Sequence, residues 1–97
     1  MDELRAQLKG VSVSRARVLQ AIKEFESEAD ERDWLANEKQ LYVLVHDGQP
    51  FPPKRILSIA TGLPVRGFHG GDETNSVLRA LGFDVIAKSG FVSVGQA

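Results

Sequence analysis

Hydrophobic positions between residues 14 and 25 repeat at helical spacing. The apolar side chains of this segment follow the i, i+1, i+4 and i+7 pattern that buries one stripe of a helix: Val18, Leu19, Ile22 and Phe25. Ser14 stands just before this stripe, where a hydroxyl can cap the first backbone N–H groups. The pattern therefore predicts a helix that begins after Ser14. Residues 2–9 are also amphipathic up to Gly10, and we expect a short helix there.

A different pattern begins at residue 41. The run 41–45 is continuously apolar with strong β character, and the pair Asp47-Gly48 that follows is a turn signal. We therefore predict a buried strand, a tight turn and a short extended return through Pro50. Pro53 suits the first position of a helix, because the N–H that proline lacks has no partner there. The apolar residues of that helix recur at helical spacing: Ile56, Ile59, Ala60 and Leu63.

A third pattern predicts a helix from residue 72 to residue 81. Asp72 or Thr74 is expected to be its N-cap, and Gly82 is expected to end it. The residues predicted to face inward are Val77, Leu78 and Leu81. Asn75 and Arg79 lie four residues apart, and we expect them to share the outward face.

Residues 83–94 complete the predicted order of elements. Two short strands at 83–87 and 91–94 flank a Gly-containing turn at 88–90, which predicts a hairpin. The order helix, strand, helix, helix, strand, turn, strand is that of winged helix-turn-helix domains, with the hairpin as the wing. The predicted fold class is α+β, a small winged-helix-like domain with three main helices and a short antiparallel sheet. The connection of about ten residues between the last two main helices is long for a helix-turn-helix, so a distinct α+β arrangement fits equally well.

Composition limits the classes of function. The chain has 97 residues, 42% of them hydrophobic, and no cysteine. We therefore expect one folded domain without disulfides, thiolate catalysis or cysteine-based zinc sites. With two histidines we expect no metal site and no cofactor. Without a long apolar run we expect neither a signal peptide nor a membrane span, and so a cytoplasmic protein.

The charge is unevenly distributed along the chain. The net charge of −1 argues against a strongly basic nucleic-acid binder. Residues 1–38 carry six Lys/Arg against nine Asp/Glu (net −3), whereas residues 39–97 carry six against four (net +2). An anion-binding surface is therefore expected in the second part of the chain.

The stretch RGFHGGDETN, residues 66–75, has two interpretations. Its three glycines precede a helix start, where free N–H groups attract anions and glycines allow a phosphate to come close. Arg66 would supply charge, and Thr74 and Asn75 would supply hydrogen bonds. The alternative is a capped tight corner, because the acidic residues 72 and 73 satisfy the helix dipole and repel a phosphate. Taken alone, these residues favour the corner.

Two further basic clusters are candidates for anion binding. Lys54 and Arg55 follow a rigid proline segment, which would reduce the entropy lost when a phosphate is bound. A solvated surface is an equally good explanation. A weaker candidate is the cluster formed by Ser12, Ser14, Arg15 and Arg17, since two arginines in a first helical turn are unfavourable without a compensating anion.

His46, Asp47 and His69 raise the question of catalysis. A histidine beside a carboxylate can activate water, and HNH nucleases use histidines around one metal ion. The two histidines are 23 positions apart on unrelated segments. A turn aspartate and a loop histidine are therefore favoured, and a small metal-dependent nuclease is a third hypothesis.

An ordered pattern covers residues 41–86, nearly half of the chain. Its elements are Tyr42, the run GQPFPPKRIL at 48–57, Ala60, the run FHGG at 68–71, Thr74-Asn75, Leu78 and Leu81-Gly82-Phe83. This pattern resembles the N-terminal head domains of McrA-like, modification-dependent HNH endonucleases, in particular those of the ScoMcrA type.

The resemblance implies a function for the whole chain. Members of this group are restriction enzymes that cut modified DNA, with separate reading modules and a C-terminal HNH nuclease module. Residues 1–97 are then a DNA-binding head domain excised from a larger endonuclease, without a nuclease active site of its own. Related N-terminal domains imply a preference for 5-methylcytosine or 5-hydroxymethylcytosine. The implied partners are double-stranded, modified DNA, the other domains of the parent enzyme and, as an option, a second copy.

The resemblance also carries over to particular residues. These are Lys54 and the glycine loop with the helix start after it: Phe68, His69, Gly70, Gly71, Thr74 and Asn75. Their positions add four basic residues: Arg55, Arg66, Arg79 and Lys88. Phosphates are expected to be held by Lys54, Arg55 and the loop, and base edges approached by Arg66, His69, Asn75 and Arg79. Phe68, otherwise a core residue, would detect the 5-methyl group by apolar contact.

A hypothesis from another class is a protein interaction module. It would dimerise or dock the rest of the enzyme through the acidic segment 24–38 and Trp34.

Overall fold

The computed structural model describes residues 4–27, Trp34 and residues 41–95. Along the chain the elements are β1 (Arg5–Leu8), β2 (Val11–Ser14), α1 (Arg15–Glu26), β3 (Tyr42–His46), β4 (Gln49–Phe51), α2 (Pro53–Thr61), α3 (Asp72–Ala80), β5 (Asp84–Ala87) and α4 (Lys88–Gly95). A short 3₁₀ helix, Val65–Gly67, lies between α2 and α3. The predicted α+β class, with three main helices and short antiparallel strands, is confirmed. No described helix is both long enough and apolar enough to span a membrane.

The strands form two small antiparallel sheets. β1 pairs with β2, and a three-stranded sheet has the order β4-β3-β5. Both hairpin turns use two residues with positive φ, Lys9-Gly10 at 50° and 80° and Asp47-Gly48 at 52° and 75°, as primed two-residue turns require. The strand and turn predicted at 41–48 are thus confirmed.

The helix expected over residues 2–9 is wrong. Its described part is strand β1, in which Ala6 pairs with Val13 and Leu8 pairs with Val11. Leu8 and Val13 are buried, so the apolar residues follow the period of two of a strand. A helix of eight residues gains little from its own hydrogen bonds, and pairing with the β-branched strand β2 is the more stable choice.

The main core lies between the helices and the sheets. α1 packs against α2 and β2, and α3 packs against β1, α2 and β5. Ser14 caps α1, because its Oγ accepts the Arg17 N–H at 3.1 Å. Pro53 begins α2 as predicted. The largest fully buried side chains of the core cluster include Leu8, Ile22, Leu44, Ile56, Leu57 and Leu78.

Arg15 and Arg17 tie α1 to other elements. Arg15 Nη1 donates to the Leu81 carbonyl at 2.8 Å, and its guanidinium lies 4.6 Å from the Phe83 ring centroid. Arg17 donates to the Ile59 carbonyl at 2.9 Å and to a carboxylate oxygen of Glu24 at 3.0 Å. The structure therefore explains both arginines of the weaker cluster by internal contacts.

Residues 88–95 form a helix instead of the second strand of a hairpin. The predicted turn at 88–90 and strand at 91–94 are both wrong, because α4 runs over Lys88–Gly95. The Lys88 N–H donates to the carbonyl of Leu41, the residue directly before β3, at 2.8 Å. The Arg79 side chain donates to the Val85 carbonyl at 2.8 Å and so satisfies one backbone acceptor of β5. The predicted wing hairpin is not formed by these residues.

Candidate nucleic-acid interface

A cavity of about 410 Å³ lies where the first turns of α2 and α3 meet the start of β3. Its described lining is Leu41, Tyr42, Pro53, Lys54, Gly70, Gly71, Thr74 and Asn75. Small-ligand pockets commonly have volumes of about 300–1,000 Å³ and combine apolar walls with a few polar groups. The cavity fits this description. Five of the predicted site residues meet here, and the glycine loop forms one side of it.

Two helices begin at this cavity without a side-chain cap. The N-cap of α2 is Pro52 and that of α3 is Gly71, and neither residue has a side chain that accepts a hydrogen bond from the first N–H groups of its helix. The free N–H groups of a first turn carry partial positive charge. The first turn of α2 contains no acidic residue, and Lys54 adds a full charge. The first turn of α3 does contain Asp72 and Glu73, although neither carboxylate is among the described lining residues.

The glycine loop is held in a tight corner by side chains of α3. Glu73 Oε1 accepts the His69 N–H at 2.9 Å, and Thr74 Oγ1 donates to the His69 carbonyl at 2.7 Å. Glu73 also lies 3.4 Å from the Lys9 ammonium, at the tip of the β1–β2 hairpin. The hydrogen bond from His69, together with Lys9, lowers the pKa of Glu73 below its ordinary value. The corner interpretation is therefore correct for Glu73, whose carboxylate is turned to the loop.

The N-cap of α3 differs from the prediction. Neither Asp72 nor Thr74 has this role, because Gly71 is the capping residue, with φ 67° and ψ −128°. Glycine is needed at this backbone conformation, which side chains rarely allow. Asp72 is already helical and exposed. The Thr74 hydroxyl is used by the loop, so the backbone geometry of the corner decides where the helix begins.

Lys54 lies along the glycine loop. A Cβ built on Gly70 would lie 3.9 Å from Lys54 Cδ, which is ordinary contact. Lys54 Nζ lies 5.7 Å from the centroid of the Phe68 ring, within the range of a cation–π interaction. Phe68 itself is 3% exposed and belongs to the core. The Phe68 ring is therefore a buried contact of Lys54 and is not on the surface.

Asn75 is buried, contrary to the outward position predicted for it. Its side chain is 3% exposed, and Oδ1 has no hydrogen-bond partner among the described residues. Asn75 lies three residues before the fully buried Leu78, and this spacing places both on one face of α3. Buried polar groups without partners are uncommon in folded proteins and cost about 1–3 kcal/mol each. Asn75 Oδ1 is thus a buried acceptor at the cavity whose burial costs stability.

The other predicted site residues are dispersed. Arg66 and His69 are exposed on the connection before α3, and Arg55 is half-buried in the first turn of α2. Arg79 lies near the end of α3, where it bonds to β5. Lys88 is half-buried, and its N–H bonds to Leu41 at the cavity. Among the predicted site residues, Lys54, Gly70, Gly71, Thr74 and Asn75 thus form a compact group around the cavity.

Three residues of the lining were not predicted as site residues. Leu41, Tyr42 and Pro53 supply its apolar walls, and Leu41 is 66% exposed. An apolar residue at the open end of a strand is a weak signal in sequence, because it is also typical of a core strand.

The remaining candidates do not form a metal centre in the described part of the chain. No group of three His, Cys, Asp or Glu side chains that could hold a metal ion occurs among those residues. His46 Nε2 lies 3.5 Å from Asp47 Oδ2 in the β3–β4 turn, and its ring meets Phe83 edge to face at 6.1 Å. Trp34 is partly buried and packs against the core. The rest of the acidic segment beyond Ser27 lies outside the described residues.

Comparison with known proteins identifies the family. No curated protein and no solved structure matches the chain. The family described as "ScoMcrA-like, N-terminal head domain" matches residues 11–87, a range that includes every described residue of the cavity. This match confirms the resemblance seen in the sequence. The chain belongs to the family of ScoMcrA-like N-terminal head domains.

Proposed function

We propose that this head domain is a non-catalytic module that binds double-stranded DNA and senses 5-methylcytosine or 5-hydroxymethylcytosine for a McrA-like restriction endonuclease. The observation that carries the proposal is the cavity, where the uncapped N-terminus of α2, Lys54 and the buried Asn75 meet. Helix N-termini and lysines bind phosphate oxygens. Asn75 lines the same cavity, and asparagine side chains are common partners of base edges. The combination suits a modified nucleotide in DNA.

Phosphate binding is assigned to Lys54 and the start of α2, because the first turn of α3 contains Asp72 and Glu73. Exposed Arg66, on the connection between α2 and α3, adds a second positive charge, and exposed His69 adds a hydrogen-bonding side chain. The domain carries only 12 Lys/Arg and a net charge of −1, so we expect few phosphate contacts. With roughly two to four contacts, log K should fall with log[salt] at a slope of about −2 to −4. Much of the affinity must then come from the modified nucleotide itself.

Detection of the 5-substituent is assigned to the apolar walls of the cavity. Because Phe68 is buried in the core, Leu41 and Tyr42 take over the contact that the sequence suggested for it. Leu41 is a large apolar side chain left 66% exposed. Covering it with a methyl-bearing base removes apolar surface from water, at a gain of about 25 cal/mol per Å². An unmodified cytosine leaves part of this contact unmade.

The test is a titration of the domain against three identical duplexes that contain cytosine, 5-methylcytosine or 5-hydroxymethylcytosine, each at two salt concentrations. We expect tighter binding to a modified duplex at both salt concentrations. Lys54→Ala should weaken binding to all three duplexes and make the salt slope shallower by about 1. Lys23→Ala, which removes an exposed lysine from the last turn of α1, is the matched control. Equal affinities of these two variants would refute the site, and equal affinities for the three duplexes would refute modification sensing.

A measurement of the mass in solution, made beside the titration, tests the protein-interaction hypothesis. Trp34, which was its expected anchor, packs against the core. A mass that rises with protein concentration, together with no affinity for any of the three duplexes, would favour that hypothesis instead.

A further inference from the structure

We infer that the exposed turn 64–67, between α2 and α3, enters the minor groove of the DNA beside the modified base; this inference rests on the proposed function. The turn consists of Pro64 and the short 3₁₀ helix Val65–Gly67, and all of its residues are exposed. It presents one aliphatic side chain, Val65, at 37% exposure, and one cation, Arg66. The Arg66 guanidinium has no hydrogen-bond or ion-pair partner in the part of the chain that the structure describes. Both side chains are therefore available to a ligand.

The turn is fixed by the residues on both sides of it. Ser58 Oγ, on α2, donates to the carbonyl of Leu63 at 2.6 Å, directly before the turn. The Gly67 N–H donates to the Pro64 carbonyl at 2.8 Å and closes the turn. Phe68, the next residue, is 3% exposed and belongs to the core. Because the turn is already ordered in this way, it loses little conformational entropy when it binds.

The size and the chemistry of the turn favour the minor groove. The major groove admits a whole helix or a two-stranded ribbon, whereas the minor groove is only about 6 Å wide. The turn is short, and Gly67 adds no side chain to its width. An arginine suits the minor groove, because the negative potential there is enhanced where A·T tracts narrow the groove. A phosphate contact would use the cation alone, whereas the sugars that form the walls of the groove also offer C–H groups to Pro64 and Val65.

Lys54 connects the turn with the phosphate site. It lines the cavity, and its Nζ lies 5.7 Å from the centroid of the Phe68 ring. Arg66 precedes Phe68 by two residues, so their Cα atoms are at most about 7 Å apart. Each phosphate of a duplex lies between the two grooves. The turn can therefore enter the minor groove while the cavity contacts the 5-methyl group, which lies in the major groove.

The experiment compares two modified duplexes that differ only in the minor groove. Both carry the same 5-methylcytosine between A·T flanks, and in one of them 2,6-diaminopurine replaces every flanking adenine. This replacement adds an amino group in the minor groove and leaves the edge in the major groove unchanged. We expect the wild-type domain to bind the adenine duplex about tenfold more tightly than the diaminopurine duplex.

Variants of Arg66 separate groove reading from phosphate binding. Arg66→Ala should lose the preference for the adenine flanks and keep the preference for 5-methylcytosine over cytosine. Arg66→Lys should keep the salt slope but lose most of the flank preference, because an ammonium is more strongly hydrated than a guanidinium. Lys23→Ala, which also removes one exposed cation, should keep both preferences.

Val65→Glu tests the apolar part of the turn. It places a carboxylate in the groove and should weaken binding to the adenine duplex by about tenfold or more. The matched control is Leu4→Glu, at a position that is 49% exposed. Leu4 lies near the end of α3, where a Cβ on Gly82 would be 3.3 Å from Leu4 Cδ1, whereas the cavity lies at the start of α3. We expect this control to bind nearly as tightly as the wild-type domain.

The outcomes separate this inference from the proposed function. A preference for 5-methylcytosine, together with equal affinities for the adenine and diaminopurine duplexes, would show that the inference is wrong while the proposed function stands. A flank preference that persists in Arg66→Ala would also overturn the inference, because another part of the domain would then read the groove. Equal losses of affinity in Val65→Glu and Leu4→Glu would overturn the placement of the turn. Failure of the wild-type domain to bind any duplex would overturn both and would favour a protein partner for the turn.

Discussion

The substitution Asn75→Leu is expected to stabilise the domain. Asn75 Oδ1 is buried and has no described hydrogen-bond partner, and such a group costs about 1–3 kcal/mol. Leucine has the same branched arrangement of heavy atoms with a larger volume, removes the polar atoms and has a higher helix propensity by a few tenths of a kcal/mol. The adjoining cavity leaves space for the change in shape. We therefore expect the free energy of unfolding to rise by about 1–2 kcal/mol.

The neighbouring residue supplies a control with the opposite sign. Thr74 is 1% exposed, and its hydroxyl donates to the His69 carbonyl at 2.7 Å. Thr74→Val keeps the shape but leaves that carbonyl without its partner, so we expect a loss of about 1–2 kcal/mol. Urea and thermal unfolding measure both variants, since 1 kcal/mol shifts the Tm of a domain of this size by about 4–8 °C.

The pair of variants makes the reasoning refutable. Most substitutions at buried positions destabilise a protein, so a gain for Asn75→Leu is an unusual result that the unsatisfied acceptor specifically predicts. A loss of more than about 1 kcal/mol would mean that the carboxamide makes stabilising interactions in the folded domain. The same variant should lose the preference for modified DNA. Stabilisation without any effect on DNA binding would separate Asn75 from the function proposed for it.

Three further substitutions test other parts of the structure. Arg15→Met removes the hydrogen bond and the ring contact that tie α1 to the end of α3; urea unfolding should show a loss of about 2–3 kcal/mol, and a loss below 0.5 would contradict it. In Gly82→Ala, the new Cβ would lie only 2.6 Å from Arg15 Nη1, on a backbone with a φ of 86°, so we expect the free energy of unfolding to fall by about 1–3 kcal/mol. Part of this loss should disappear in the double variant with Arg15→Met, and strictly additive losses of the two substitutions would argue against the clash. The pKa of Glu73 is lowered because its carboxylate accepts the His69 N–H. The wild-type domain should therefore be more stable than Glu73→Gln above the unfolded pKa of about 4.3, and this difference should disappear as the pH falls through the lower folded pKa. A difference in stability that does not change with pH would refute this.

Local signals in the sequence were sufficient where a single residue determines the backbone. Ser14 caps α1, Asp47-Gly48 forms the predicted turn and Pro53 begins α2. Each of these residues acts through its own conformation or its own side chain, with little help from the rest of the fold. The prediction for the glycine loop was correct only in part. A helix does begin after the loop, but its N-cap is Gly71 and not an acidic or hydroxyl residue.

Signals failed where tertiary contacts decide the structure. Residues 5–8 and 88–95 are short segments whose pattern is compatible with helix and strand, and their partners β2 and Leu41 determine the outcome. Asn75 was paired with Arg79 four residues later, whereas its spacing of three from Leu78 places it on the buried face. The cavity could not be predicted either, since it joins residues 41–42, 53–54 and 70–75. Only folding brings these three segments together.

The measurement that tests the central claim most directly is an NMR titration of the labelled domain with a duplex containing 5-methylcytosine. If DNA binds at the cavity, the amide resonances of Lys54, Gly70, Gly71 and Asn75 should shift most, with that of Gly48 in the β3–β4 turn, at the opposite end of β3 from the cavity, little changed. The unmodified duplex should produce smaller shifts at the same residues. Shifts that concentrate elsewhere on the domain, with the resonances of the cavity unchanged, would contradict the assignment of this cavity as the DNA-binding site.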